Sequence, residues 1–340
     1  MINFLEKLEN ADISICDEAD SFLQSGFWGS FKSRFGWEAL AFKAVWKNGV
    51  ASERPLLVLR RILFPGFALA YIPWGPELPE NFPNREEALI ELAVSLKKNL
   101  PKDTVFIRFD PPWSVLMPNI FIRSAADIQP PDTVVLDLSL SFESIKEQMK
   151  PKWRYNAKLA LKKGVKVYRA DNDKINVFYD LLKETAVRDC INIHSLNYYE
   201  SLFAVDKYPG KIPDIRIYLA EHEGDTIAGI VTLFRGTEAV YLYGASSNKK
   251  RNLMASYALQ LKVIEDAKLS GCQNYDLFGI PPGKDPGHPM AGLYQFKTGF
   301  GGQIIHRPGS WDYPCRPIVY RLFRIAEAFR QTLRKLRKRR

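Results

Sequence analysis

The chain has 340 residues, enough for two domains of ordinary size, and 46% of them are hydrophobic, so each domain can bury a core. Its four cysteines form no CxxC pair and its four histidines no HxxxH spacing, so neither a disulfide framework nor a zinc site is expected. The amino-terminal segment is acidic and lacks the apolar core of a signal peptide, and no stretch approaches about 20 apolar residues, so a cytoplasmic protein without a membrane span is expected.

The net charge of +10 is concentrated at the carboxyl end. Residues 321–340 contain nine Lys/Arg and one Glu, a net +8, whereas the remainder has 39 basic and 37 acidic residues. Apolar residues in this tail recur every three or four positions, at Leu322, Ile325, Phe329, Leu333 and Leu336. The pattern predicts a basic amphipathic helix, packed on the protein over 318–329 and contacting an anionic membrane surface or RNA over 334–340.

Near the amino terminus, the segment FLQSGFWGSFKSRFGW interleaves aromatic residues with Lys32 and Arg34. A helix is expected to start between Asp17 and Phe22. The spacing favours a helix that packs its aromatic side chains and leaves Lys32 at its surface. The alternative is a phosphate site formed by Lys32 and Arg34.

Residues 38–110 and 215–280 repeat one order of predicted elements: a hairpin, a third strand, a helix and a fourth strand. In the first copy the hairpin turns at Asn48-Gly49, and a helix over 84–99 has Asn84 as its N-cap. This is the element order of the GNAT acyltransferase fold. The sequence therefore predicts an α/β protein with two GNAT-like domains, duplicated, each with a mixed sheet.

We place the first domain at 1–145 and the second at 146–320, followed by the tail at 321–340. The carboxyl-terminal helices are expected to pack back on the first domain.

Two helices are predicted between the copies, from Ser141 to Met149 and from Pro151 to a C-cap at Gly164. The second helix carries five basic residues, which are Lys152, Arg154, Lys158, Lys162 and Lys163. A solvated helix face is the usual meaning of such a run. The alternative is a surface that contacts the phosphates of a polyanion such as tRNA, without reading its sequence.

Residues 241–302 contain a strand, a helix, a parallel strand, a Gly/Pro loop and then Phe296-Lys297. Such a crossover unit opens a cleft at the carboxyl ends of its strands. The cleft is expected to carry Tyr241, Tyr243, Asp276 and, from the loop, Lys297. A lysine there either stabilises developing negative charge or is an ordinary surface residue.

The turns that precede the two central helices read SSNKKRNLMAS and ELPENFPNREE. Neither has the glycines through which backbone N–H groups cradle the pyrophosphate of coenzyme A. An acyl donor other than coenzyme A is therefore expected, and no cofactor or metal.

The chain resembles the FemABX aminoacyltransferases, which add amino acids to the stem peptide of peptidoglycan precursors. The resemblance spans residues 20–315. Its segments, in the family's order, are FLQSGFWGSFKSRFGW, YIPWGP, FIRFDPP, QPPDTVVLDL, MKPKWRYNAKLALKKGV, TAVRDCINIHSLNYYESL, YLYGAS, YDLFGI and GLYQFKTGFGG. It implies two GNAT-like domains with a substrate channel between them and aminoacyl-tRNA as donor. The 145–200 region is too short for the coiled-coil arm of some members.

The resemblance also implies roles for individual residues. Phe296 and Lys297 match the Phe-Lys pair that stabilises the transition state, and Asp110 matches an aspartate that interacts with the attacking amine. Lys32 matches a lysine that holds the phosphate of the acceptor's carrier. The tRNA-binding residues are expected to be Lys152, Arg154, Lys158 and Lys162.

The remaining substrate-binding residues implied by the resemblance are Tyr71, Arg108, His194, Tyr198 and Tyr243. His194 stands where the family commonly has an arginine. A neutral imidazole cannot form the forked contact of a guanidinium with an oxyanion, so the phosphate contact at this position is open.

The expected activity is transfer of an amino acid from aminoacyl-tRNA to a stem-peptide amine of a peptidoglycan precursor. The expected protein is a monomer in the cytoplasm, in peripheral contact with the anionic inner face of the membrane. An acceptor that is a protein N-terminus or a lipid, and a non-catalytic RNA- or membrane-binding scaffold, remain alternatives. The amino acid, the acceptor amine and the carrier, UDP or lipid, stay open.

Overall fold

The computed structural model describes residues 4–47, 53–204, 208–281, 283, 285 and 290–338. The turn predicted at Asn48-Gly49 lies outside these residues. The chain divides into two compact units, which are described separately. Unit 1 comprises Met1–Pro131, Tyr208–Lys211 and Arg307–Arg340, and unit 2 comprises Asp132–Lys207 and Ile212–His306.

The strands are β1 (Leu5–Ala11), β2 (Glu38–Trp46), β3 (Glu53–Phe64), β4 (Phe67–Ile72), β5 (Thr104–Phe109), β6 (Ile122–Arg123), β7 (Asp132–Asp137), β8 (Lys166–Ala170), β9 (Asp214–His222), β10 (Asp225–Arg235), β11 (Glu238–Ser246), β12 (Asn274–Ile280), β13 (Gln303–Ile305) and β14 (Trp311–Pro314). The helices are α1 (Gly26–Ser33), α2 (Arg85–Asn99), α3 (Phe142–Gln148), α4 (Pro151–Lys162), α5 (Ile175–Asp189), α6 (Leu196–Phe203), α7 (Ala255–Leu269), α8 (Ala291–Thr298) and α9 (Pro317–Lys338).

The sheets of the two units have equivalent strand orders. In unit 1 the strand order is β1-β2-β3-β4-β5-β14-β6, and in unit 2 it is β8-β9-β10-β11-β12-β7-β13. Each sheet has one parallel pair, β4 with β5 and β11 with β12, and a helix connects its strands, α2 or α7. This confirms the predicted duplication of a GNAT-like fold with mixed sheets.

The sixth strand of each sheet comes from a distant part of the chain. In unit 1, β14 follows all of unit 2 in sequence yet pairs with β5, and in unit 2, β7 pairs with β12. Residues 132–145 therefore belong to unit 2 and residues 307–320 to unit 1, unlike the predicted boundaries. The prediction placed one boundary between the two domains, whereas the strand pairing requires the chain to pass from one unit to the other more than once.

The local signals of the sequence act as predicted at several helix ends. Asn84 Oδ1 accepts from the Glu87 N–H at the start of α2, and Ser141 caps α3 in the same way. Gly164 follows α4 with a φ of +84°, which suits glycine. The helix predicted to start at Asp17–Phe22 is wrong: short 3-10 turns occupy this segment, and α1 begins after Ser25.

Among the described residues between β8 and β9 the α-helices are α5 and α6, of 15 and eight residues, which are too short for a coiled-coil arm. In unit 2, α7 buries Leu259, Val263 and Ile264 in the core. In unit 1, α2 does the same with Leu89 and Leu92. These cores hold each parallel pair of strands in place, and Asp110 and the Lys297 ammonium lie at the carboxyl ends of these pairs.

The tail forms α9, which belongs to unit 1, and the side chains that pack on the sheet are not those of the predicted stripe. Tyr320 is buried against Phe106, and Phe323 packs on Phe67 and Phe106. The described part of the predicted stripe is exposed instead, at 63% for Leu322, 68% for Ile325 and 66% for Phe329, whereas the side chains of Leu333 and Leu336 lie outside the described residues. Tyr320 and Phe323 fill the space beside the sheet, so Leu322, Ile325 and Phe329 face solvent.

Candidate active site

Lys297 is a buried lysine on α8, only 6% exposed. Its Nζ donates to the Gly279 carbonyl oxygen at 2.8 Å and lies 5.1 Å from the centroid of the Tyr241 ring. The sequence placed this lysine on a loop, and the structure places it in the last turn of a helix. Because Gly279 lies near the end of β12, the ammonium sits at the carboxyl end of the parallel pair.

The surroundings of Lys297 disfavour its charged form. Burial lowers the pKa of the Lys297 ammonium to about 7, and the Asp276 carboxylate opposes this shift only in part. A desolvated cation of this kind attracts negative charge strongly because little water screens it. It is therefore suited to stabilise an oxyanion that forms within reach of Nζ.

A bulge in β12 presents the carbonyl that Lys297 contacts. The pairing of β12 with β7 shifts register between Asp276 and Gly279, and Phe278 has a φ of +60°. The Asp276 carboxylate stabilises this turn by accepting from the Phe278 N–H at 2.7 Å and from the Thr133 hydroxyl at 2.5 Å. Asp276 was expected in the cleft, and its side chain shapes the backbone there.

Phe296 has a packing role that the sequence did not indicate. Its ring packs edge-on against Tyr257 and Phe300, and its carbonyl accepts from Trp153 Nε1 at 2.8 Å. A Cβ on Gly299 would overlap the Trp153 ring, so only glycine fits there. The basic helix α4, which carries Trp153, is thus joined directly to α8.

A second cluster in unit 2 consists of aromatic side chains. The His194 ring stacks on the Tyr198 ring with centroids 3.8 Å apart. His194 precedes α6, and Tyr198 lies within it. Tyr199, which the sequence analysis did not single out, packs edge-on against Tyr243 at 5.1 Å. Desolvation raises the pKa of the Tyr198 phenol to about 12 and that of Tyr243 well above its usual range, so both stay neutral.

In unit 1, Asp110 lies directly after β5 and is 3% exposed. Its two carboxylate oxygens accept from the Tyr71 hydroxyl and the Ser310 hydroxyl. Burial raises the pKa of Asp110 to about 6, against the effect of these two hydrogen bonds. Such a carboxylate can accept a hydrogen bond or a proton from an amine near neutral pH. Ser310 precedes β14, so only the strand pairing could reveal it.

Arg108 is engaged within the fold of unit 1. Its guanidinium donates to the Asp312 carboxylate at 2.7 and 2.9 Å, and both side chains are buried. Tyr320 also donates to Asp312, at 2.8 Å. These bonds connect β5, β14 and α9, so the structure gives the predicted substrate-binding Arg108 a structural partner.

Lys32 and Arg61 form a cationic, aromatic-lined surface in unit 1. Lys32 Nζ lies 5.4 Å from the Trp28 ring centroid, and the Arg61 guanidinium lies 5.4 Å from that of Trp37. Burial and the Arg61 charge lower the pKa of Lys32 to about 8. Trp37 also packs near Tyr71 at 6.1 Å, which connects this surface to the Asp110 cluster.

On α4, Lys152, Lys158 and Lys162 are exposed, as a polyanion-binding surface requires. Arg154 differs from them, because its Nη1 donates to the carbonyls of Glu147 and Met149 at the end of α3. Arg154 therefore caps α3, and its guanidinium is directed to the backbone.

Two kinds of feature are absent from the part of the chain that the structure describes. None of the helices in this part of the chain is long and apolar enough to cross a bilayer. The same residues contain no group of three or more His, Cys, Asp or Glu side chains placed to hold a metal ion.

The model of the FemAB family matches residues 120–224 and 217–328. The chain is 24% identical to a lipid II:glycine glycyltransferase of Staphylococcus epidermidis, covering 88% of this chain and 89% of that protein. It is 23% identical to a Staphylococcus aureus protein of the same name, with the same coverage.

Among solved structures, the crystal structure of FemX superposes with a TM-score of 0.77 at 20% identity, covering 93% of this chain and 99% of that one. The C-terminal domain of a putative lysylphosphatidylglycerol synthetase from Agrobacterium fabrum superposes with a TM-score of 0.54 at 12% identity, covering 88% and 89%. Both likenesses concern the fold. Because the family model covers well over half of the sequence, the chain belongs to the FemAB family.

Proposed function

We propose that the protein is an aminoacyltransferase that adds an amino acid to a stem-peptide amine of a peptidoglycan precursor, with aminoacyl-tRNA as donor. The observation that carries this proposal is the buried Lys297 at the carboxyl end of the β11–β12 pair. Membership of the FemAB family and similarity to the lipid II:glycine glycyltransferases of staphylococci support it.

In the proposed reaction the acceptor nitrogen attacks the carbonyl carbon of the aminoacyl ester. The new C–N bond forms, the C–O bond to the tRNA ribose breaks, and the amine proton leaves while the ribose hydroxyl gains one. Lys297 stabilises the oxyanion of the tetrahedral intermediate. Asp110 interacts with the attacking amine, for which its raised pKa is suitable.

The proposed acceptor is lipid-linked, and the enzyme works in the cytoplasm at the inner face of the membrane. The relatives' name specifies lipid II, and the basic tail suits an anionic membrane surface. Glycine, the amino acid in that name, is the first donor to test.

The test is incubation of the protein with individually charged tRNAs and either lipid-linked or UDP-linked muropeptide, with the mass of the muropeptide as readout. The expected result is a gain of one amino-acid residue, lost when the acceptor amine is acetylated beforehand. Transfer to a protein N-terminus or a phospholipid instead would overturn the acceptor. An absence of transfer from every donor would support the scaffold alternative.

The exposed lysines of α4 are expected to contact the tRNA backbone. Changing Lys152, Lys158 and Lys162 together to Gln should weaken tRNA binding and lower the slope of log K against log salt concentration by about 2. The measurement is tRNA affinity by filter binding at several salt concentrations.

The matched control is the triple change of Lys97, Lys98 and Lys102 to Gln, which removes the same charge from exposed positions in unit 1. If both triple variants lose the same affinity, binding reports only net charge, and the assignment to α4 fails.

Lys32 is expected to contact the phosphate of the acceptor's carrier. Since burial lowers the pKa of Lys32 to about 8, the wild-type KM for the acceptor should rise as pH increases beyond 8. Lys32→Met should raise KM below pH 8 with a smaller change in kcat, the difference from wild type should shrink above pH 8, and Lys32→Arg should remove the rise at alkaline pH. An acceptor KM that Lys32→Met leaves unchanged would exclude this contact.

A further inference from the structure

Over residues 317–327 and 329, whose side chains the structure describes, α9 has one apolar face packed on the sheet and another that is exposed. Tyr320 and Phe323 face the sheet of unit 1 and pack on Phe67 and Phe106. The other face has four exposed apolar side chains at helical spacing, which are Ile318 (77%), Leu322 (63%), Ile325 (68%) and Phe329 (66%). Isolated apolar side chains at a surface are ordinary, but a continuous stripe indicates an interaction site.

The end of the β3–β4 hairpin adds exposed apolar residues beside this helix. Ile62, Leu63 and Phe64 are exposed at 58%, 40% and 54%. Phe64 stacks on Phe67 with centroids 4.4 Å apart, and Phe67 in turn packs on Phe323. These contacts fix the hairpin end against α9 through side chains that are far apart in sequence.

A hydrogen bond between the two elements strengthens this arrangement. Arg316 Nη1 donates to the Gly66 carbonyl at 3.1 Å, so the start of α9 is held at the hairpin turn. We call the exposed side chains of both elements the hairpin–α9 surface; they are Ile62, Leu63, Phe64, Ile318, Leu322, Ile325 and Phe329.

The charge around this surface indicates its partner. Arg61, Arg321 and Arg324 are exposed beside it, and residues 321–340 contain nine Lys/Arg against the single Glu327. A partner must therefore accept apolar side chains and carry negative charge. The interface of an anionic bilayer does both, whereas a second copy would bring an equally positive tail, and RNA offers no apolar interior.

We propose that the hairpin–α9 surface docks on anionic lipid, with its apolar side chains inserted at the bilayer interface. The neighbouring Arg61, Arg321 and Arg324 then lie at the headgroups. This deepens the proposed function, in which the acceptor is lipid-linked. The basic residues of the tail supply electrostatic attraction, and the apolar side chains of α9 and of the hairpin supply insertion at the bilayer interface.

The test measures binding of the full chain to vesicles of phosphatidylglycerol and phosphatidylcholine, and to phosphatidylcholine alone, without any transferase substrate. Phe64→Ser and Leu322→Ser should each lower binding to the anionic vesicles roughly 5- to 10-fold, because each removes a large inserted side chain. Changing Arg321 and Arg324 to Gln should lower binding at low salt and have less effect at high salt.

The control variants are Leu269→Ser and Val187→Ser, at positions that are 79% and 82% exposed on helices of unit 2. Each removes an exposed apolar side chain of unit 2 and should leave binding unchanged. Equal binding of Phe64→Ser and wild type would overturn the proposal, as would a wild-type dimer that Leu322→Ser makes monomeric.

The vesicle measurement and the transfer assay together separate the two proposals. Vesicle binding without aminoacyl transfer would refute the proposed function and leave the docking surface intact. Transfer to a lipid-linked acceptor without any vesicle binding would refute the docking surface alone.

Discussion

Lys297→Met is expected to lower kcat by about 100-fold or more while the fold stays intact, because it removes the charge that stabilises the oxyanion. The measurement is kcat for aminoacyl transfer at saturating substrates. Lys268→Met is a matched control, since Lys268 also donates to a backbone carbonyl, that of Leu138, at 2.9 Å. Turnover of Lys297→Met close to that of Lys268→Met would contradict the assignment.

The same substitution is expected to stabilise the protein at low pH. In the unfolded chain a lysine has its ordinary pKa near 10.5, whereas in the folded chain burial lowers the pKa of Lys297 to about 7. Between these values the unfolded state binds more protons, so the wild-type free energy of unfolding rises with pH over this interval. Below about pH 7 the full cost of burying the charge is present.

Met removes this cost, which is on the order of a few kcal/mol, and loses a hydrogen bond that contributes about 1 kcal/mol. Lys297→Met should therefore unfold at higher denaturant concentration than wild type at pH 6, with the difference disappearing toward pH 10. A variant that is less stable at pH 6 would show that Lys297 contributes to folding and not specifically to the reaction.

The ratio of wild-type to Lys297→Met activity as a function of pH tests which form of Lys297 acts. Because the ratio cancels titration of the substrates, it isolates this one residue. If the ammonium stabilises the oxyanion, the ratio for kcat/KM should fall as pH rises through about 7. A ratio that rises through pH 7 would instead assign Lys297 as a general base.

Asp312→Ala is expected to lower the free energy of unfolding by roughly 3–5 kcal/mol. The substitution leaves the buried Arg108 guanidinium without its carboxylate and removes the acceptor of the Tyr320 hydroxyl. The measurement is denaturant unfolding followed by tryptophan fluorescence. Asp214→Ala is the control, because the Asp214 carboxylate that pairs with Arg169 and Arg216 is itself 44% exposed, and ion pairs of an exposed carboxylate contribute little.

Asp312→Ala also distinguishes two roles for Arg108. If Arg108 is structural, Arg108→Leu with Asp312→Leu should recover much of the stability, because an apolar pair of similar volume can replace a buried ion pair. The double variant should then also keep its KM for the acceptor. A raised KM in a stable double variant would return Arg108 to the substrate-binding residues.

Helix ends and element order could be predicted because they depend on neighbouring residues. Asn84 and Ser141 cap the next helix through contacts three residues away, and Gly164 ends α4 by its own backbone freedom. The repeated order of strands and helix indicated the duplicated fold for the same reason. The residues from the family resemblance, such as Lys297 and Asp110, occupy buried positions at the carboxyl ends of the parallel strands.

The environment of those residues could not be predicted, because it depends on contacts between distant segments. Asp110 bonds to Ser310, which is 200 residues away, and Arg108 bonds to Asp312 across 204 residues. The sequence predicted Arg154 to belong to a basic surface, whereas in the structure its guanidinium donates to a carbonyl at the end of α3. A charge count cannot distinguish a guanidinium that faces solvent from one that caps a helix.

Sequence by itself determined the repeated fold, the basic tail and the family to which the chain belongs, since order, composition and motifs are local properties. The tertiary structure alone decided that β7 and β14 pair with strands far from them in sequence and that Lys297 is desolvated. It also decided that Leu322, Ile325 and Phe329 of α9 are exposed. Burial and pairing are set by packing among distant residues, and that packing determines which charges remain accessible for binding or chemistry.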